Sequence, residues 1–138
     1  MNLSREQVGR RIAGIVGDRV RVVLPRRLPP GFKLAVPYIA VGDGTARPNP
    51  EGWGKSYRVS YTDGWGLVMM TYGAARLPDG VIWHENGLRI DGRPARAGVA
   101  GEAVVVATDD GRPLVVVIGR NAPPEQVLAC AESLAPWR

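Results

Sequence analysis

Apolar residues recur at helical spacing near the start of the chain, at Val8, Ile12, Ile15 and Val16. Steps of three and four place them on one stripe of a short amphipathic helix. Ser4-Arg5-Glu6-Gln7, just before them, fits a capping box, in which the first and last side chains satisfy free amides at a helix start. Gly17 suits the helix end, because glycine adopts the conformations that close helices. From Arg19 to Val22 the period changes to two, which predicts a strand running on into Val23 and Leu24. Pro25 and Pro29-Pro30-Gly31 break the pattern, and Phe32 to Val41 resumes as an extended segment.

Residues 42–55 carry Gly42, Gly44, Gly52, Gly54, Pro48 and Pro50, the composition of a long exposed loop. Loops of this length are uncommon unless they serve a function or move. Tyr57, Val59 and Tyr61 then alternate with Arg58, Ser60 and Thr62, Asp63-Gly64 turns the chain, and Trp65 to Tyr72 returns. This is the pattern of a β-hairpin. By the same logic Val81 to Glu85, Asn86-Gly87 and Leu88 to Asp91 predict a second hairpin. Val104-Val105-Val106 and Leu114 to Ile118, around Asp109-Asp110-Gly111, predict a third. Their unbroken apolar runs suit strands covered on both faces. Pro123-Pro124 opens a last helix with Val127, Leu128, Ala131 and Leu134 on one stripe, ended by Pro136. Hairpins require antiparallel pairing. The expected fold is therefore α+β: an antiparallel meandering sheet with an N-terminal and a C-terminal helix packed on one face. Nothing marks a boundary, so residues 1–138 read as one domain, with 1–23 a basic helix and strand and 24–138 the sheet and final helix.

Composition narrows the function classes. With 45% hydrophobic and 22% charged residues the chain is globular rather than disordered. No apolar run approaches the ~20 residues of a membrane span. Met1 to Glu6 lacks the layout of a secretory signal. As written the chain reads as soluble and unaddressed, hence cytoplasmic. If it is a soluble part cut from a longer tethered parent, it is extracytoplasmic. The net charge of +5 sits at one end: residues 1–30 hold seven arginines (Arg5, Arg10, Arg11, Arg19, Arg21, Arg26 and Arg27) against Glu6 and Asp18. Such an end suits an anionic membrane surface, an acidic partner or nucleic acid. Nucleic acid is the weakest of these, since no recognised motif and no interleaved aromatics accompany the arginines.

Candidate chemistry is sparse. One cysteine, Cys130, and one histidine, His84, exclude an internal disulfide and a multi-histidine or cysteine metal cage. His84 and Glu85 are strand neighbours and point to opposite faces. Cys130 lies on the apolar stripe of the last helix, as a small buried hydrophobe does. Asp63, Asp109 and Asp110 sit in turns, without calcium-loop spacing. Neither a phosphate loop nor a dinucleotide fingerprint nor a nucleophile elbow occurs. The expectation is a binding module with no catalytic residue, no metal and no cofactor. Its candidate contacts are the aromatics Trp53, Tyr57, Tyr61 and Trp65 and the helix arginines Arg5, Arg10 and Arg11.

Three segments, in order, carry a family resemblance. Leu28-Pro29-Pro30-Gly31-Phe32 resembles a "Leu-Pro-x-Gly-Phe" opening to a strand. Tyr57 to Gly64, followed by Trp65 to Met70, is similar to a "Tyr-Ser/Thr-Asp-Gly" hairpin. Val115 to Gly119 with Pro124 to Leu134 resembles a final strand and helix. Together they resemble the C-terminal domain of the sigma-E regulatory proteins MucB and RseB, and related domains in anti-sigma-factor-like and lipoprotein-carrier-like bacterial proteins. The resemblance covers roughly residues 24–135. It implies a non-enzymatic, extracytoplasmic sensory or protein-interaction module of envelope-stress signalling, with a protein partner such as a membrane-bound regulator. The alternative reading is a cytoplasmic binding protein that uses its basic end on nucleic acid or an acidic partner.

Overall fold

The capping box closes as its residues require. Ser4 Oγ accepts from the Gln7 amide at 3.1 Å, and Gln7 Oε1 accepts from the Ser4 amide at 2.8 Å. It starts helix α1, Arg5–Val16, which buries Val8, Gly9, Ile12 and Val16. The computed structural model describes residues 3–17, 19–42, 56–74, 76–110 and 113–138. Beyond α1 follow β1 (Val23–Pro25), β2 (Lys33–Gly42), β3 (Ser56–Thr62), β4 (Leu67–Ala74), β5 (Ile82–Ile90), β6 (Arg93–Ala100), β7 (Ala103–Thr108), β8 (Leu114–Arg120), α2 (Pro124–Glu132) and β9 (Leu134–Pro136).

Among the described residues one sheet has seven strands in the order β2-β3-β4-β8-β7-β6-β5, all antiparallel. Two meanders, β2 to β4 and β5 to β8, meet where β4 pairs with β8. The expected α+β class holds, and the valine strands β7 and β8 lie at the centre as their apolar runs required. One sheet face carries Tyr57, Val59, Tyr61, Val68, Met70, Val104, Val106, Val115 and Val117. Val8, Ile12 and Val16 of α1 and Val127, Cys130 and Ala131 of α2 belong to the same cluster, so both helices cover this face. Gly119 makes the close approach of α2 possible, because a Cβ there would run into Val127. On the opposite face Val105, Ala107 and Val116 pack against Leu77, Val81 and Trp83, residues of the connection from β4 and the start of β5. That cover explains why every residue of β7 is buried.

Three local expectations change. Asn86-Gly87 is not a hairpin turn: β5 runs through it, with irregular register between Glu85 and Leu88, and the chain reverses at Asp91-Gly92. Asp91 and Gly92 have φ of 51° and 74°, the successive positive values that a tight hairpin turn of matching twist needs. The last helix stops at Glu132, capped by Ser133, and Leu134 belongs to β9 rather than to the helical stripe. β9 pairs with β1 as a separate two-stranded sheet, Leu24 opposite Ala135. Arg19 to Val22 falls outside the regular strand, although Val20 and Val22 are buried. Most of the expected 42–55 loop lies outside the described residues.

Candidate functional site

The residues expected to make contacts separate into core, clamp and surface. Tyr57 and Tyr61 belong to the core, because alternation on β3 turns Tyr57, Val59 and Tyr61 toward the helices. Tyr57 Oη donates to the Arg21 carbonyl at 2.7 Å and accepts from the Val23 amide at 2.9 Å, and its ring stacks on Tyr72. Burial raises both phenols above their ordinary pKa. Arg5 also turns inward: Nη2 donates to the carbonyls of Leu24, Ala135 and Pro136 and Nε to that of Pro25. It fastens α1 to the β1–β9 pair rather than facing a partner. Arg10 stays on the surface in an exposed pair with Glu6 at 3.0 Å. Trp53 lies outside the described residues.

Trp65 is the expected anchor that stands clear, at 80% exposure. It tops the β3–β4 turn, where Asp63 Oδ1 accepts from the amides of Trp65 and Gly66. Those two bonds hold the Asp63 carboxyl below its ordinary pKa.

Arg11 leads to a surface that the sequence pattern concealed. Its Nη1 donates to Tyr38 Oη at 2.9 Å, joining α1 to β2. Around that bond Arg11, Ile15, Val36, Pro37, Tyr38 and Ile39 line a groove of about 530 Å³. Ile15 is 50% and Val36 78% exposed, and Val41 continues the apolar strip farther along β2. Ile15 reads as core in the helical pattern, yet Val8, Ile12 and Val16 fill the contact with the sheet and leave it at the margin. β2 breaks register between Leu34 and Ile39, which projects Val36 outward. Among the described residues β2 has a strand neighbour on one side only. Among the described residues nothing pairs with its outer edge, whose run of backbone groups is interrupted at Pro37, which has no amide to donate.

The other candidate residues are placed apart. His84 and Glu85 are exposed on β5, and Cys130 is buried on α2. Burial pushes the Cys130 thiol up to about 12, so it stays protonated at neutral pH. Of the seven N-terminal arginines, Arg5, Arg10, Arg11 and Arg21 hold partners within the chain, Arg21 gripping Asp91 through two bonds of 2.6 and 2.8 Å. Among the described residues no helix is long and apolar enough to cross a membrane.

No family model matches the chain. No curated protein matches it either. A solved structure, the crystal structure of MucB in complex with MucA(peri), is similar to it with a TM-score of 0.50 and 23% identity. The match covers 85% of this chain and 37% of that one, so the chain spans little more than a third of MucB's length. The likeness is one of fold.

Proposed function

We propose that this chain is a non-catalytic protein-interaction module that receives an acidic segment of a protein partner in the groove between α1 and the outer edge of β2. The observation that carries the reading is the apolar strip of Ile15 and Val36, exposed beside the Arg11 guanidinium at a sheet edge that no other described strand pairs with. An extended segment adds main-chain hydrogen bonds along such an edge, while apolar pockets and charge choose its side chains. Ile39 to Gly42, beyond the register break, is the stretch of edge suited to it. The fold shared with MucB, a protein solved with MucA bound, supports a role in partner binding. It also supports the finer reading, an extracytoplasmic module of an anti-sigma or envelope-stress regulator. Arg5 is turned onto backbone carbonyls and Arg21 onto Asp91, which takes two guanidinium groups from any phosphate-tracking surface and favours an acidic protein over nucleic acid.

The test begins with peptides selected from a random display library on the intact chain. Their affinities are then measured on wild type and on the double variant Ile15→Asp/Val36→Asp. The expected winners combine acidic and apolar residues, and they lose at least about tenfold in affinity on the variant. Both changes fall on exposed side chains, so the fold should persist. Winners that bind the variant undiminished, or that lack acidic residues, would remove this reading.

A further inference from the structure

A second cavity, separate from the groove, lies at the other end of α1. We propose that it binds a small carboxylate bearing a short apolar tail. The niche has a volume of about 220 Å³ and opens between the first turn of α1, the segment before β2, and β3. Leu3, Val8, Pro25, Leu28, Phe32 and Leu34 supply its apolar wall. The polar groups that reach it are Arg5, Lys33 and Tyr61.

Three observations specify the ligand. Tyr61 lines the niche, and among the described residues its hydroxyl has no hydrogen-bond partner. The phenol is therefore free to donate to a ligand seated in the niche. The charge there is also one-sided. Arg5 and Lys33 line the niche without a lining carboxylate, and Arg26 lies close enough to oppose the Arg5 charge. Nearby Asp63 is turned into the amides of its own hairpin. Arg5 commits Nε and Nη2 to backbone carbonyls and leaves Nη1 without a partner among the described residues. An anion is the missing component, and a carboxylate accepts from a phenol and a cation together.

Size fixes the rest. The cavity is smaller than the ~300–1,000 Å³ of pockets that hold drug-sized ligands, so the tail is short. A phosphate without a tail would leave the apolar wall wet, and a long acyl chain would not fit.

Octanoate is the probe, titrated into the intact chain at low salt and followed by nuclear magnetic resonance and calorimetry, with octan-1-ol and octylammonium as comparison ligands. Octanoate should bind saturably, shift the signals of Leu28, Phe32 and Leu34, and bind roughly tenfold tighter than either comparison ligand. Lys33→Glu, on an exposed side chain, should abolish that preference. Tyr61→Phe, which keeps the ring, should weaken octanoate about fivefold and octan-1-ol far less. The proposal is overturned by any of three results: shifts that do not saturate or lie elsewhere, equal binding of octylammonium, or octanoate affinity unchanged in both variants. None of these bears on peptide binding at the β2 groove, which Ile15→Asp/Val36→Asp tests separately.

Discussion

Tyr57 has a hydrogen-bonding task that its place in the sequence pattern does not announce. Its ring fills the face beneath the helices, where a lone hydroxyl would be costly. The hydroxyl is instead shared between the Arg21 carbonyl and the Val23 amide, and so pins the segment entering β1 onto β3. Tyr57→Phe keeps the ring and its stack on Tyr72 but orphans both backbone groups. The expected cost is about 1–3 kcal/mol, read as a lower denaturant midpoint at unchanged slope. Amide exchange at Val23 should accelerate in the same variant. A midpoint equal to wild type would mean that water replaces the hydroxyl without penalty.

At the scale of elements, α1 depends on one side chain. Its stripe of Val8, Ile12 and Val16 covers one margin of the sheet, and Arg5 locks its first turn to carbonyls of β1 and β9. Arg5→Ala should cost about 2 kcal/mol, because hydrogen bonds to a charged donor are among the stronger ones. Arg5→Lys should recover little, since a point ammonium does not span acceptors on two strands as a planar guanidinium does. Exchange should quicken in α1 and β9 and remain slow in β7 and β8; uniform loss of protection would contradict a local clamp. The same element shows where sequence reading succeeds and where it stops. The capping box, the 57–62 alternation with Asp63-Gly64, and the valine runs were legible because each is decided within a few residues. Asn86-Gly87 misled because two dipeptides compete for one reversal. The register of β5 on β6 selects Asp91-Gly92 and absorbs Gly87, at φ 79°, within the strand. β9 was hidden because its partner β1 lies more than a hundred residues earlier. At the candidate site Arg11 could be named, but the exposure of Ile15 and Val36 depends on how far α1 reaches across β2. Periodicity carries no such information.

The molecule as a whole confronts two opposing effects as pH rises. With a charge of +5 near neutrality and an isoelectric point near 10.0, it approaches zero net charge in alkali, which relieves self-repulsion. Against this stand acids buried in the face that joins sheet and helices. The Cys130 thiol moves from 9.0 to about 12, and the Tyr57 and Tyr61 phenols rise above 10.0, each chiefly because burial penalises the anion. From about pH 9 upward the unfolded chain gives up these protons while the folded chain retains them. The unfolded state then binds fewer protons, and stability must fall with rising pH. Three coupled-in-place groups outweigh diffuse surface repulsion, which salt already screens. The denaturant midpoint should therefore hold steady below pH 9 and decline steadily above it, even as net charge vanishes. Cys130→Ala should delay the onset of that decline toward the ordinary tyrosine range, and adding Tyr61→Phe should flatten it further. A midpoint that climbed to a maximum at the isoelectric point would show net charge, and not the buried acids, setting alkaline stability.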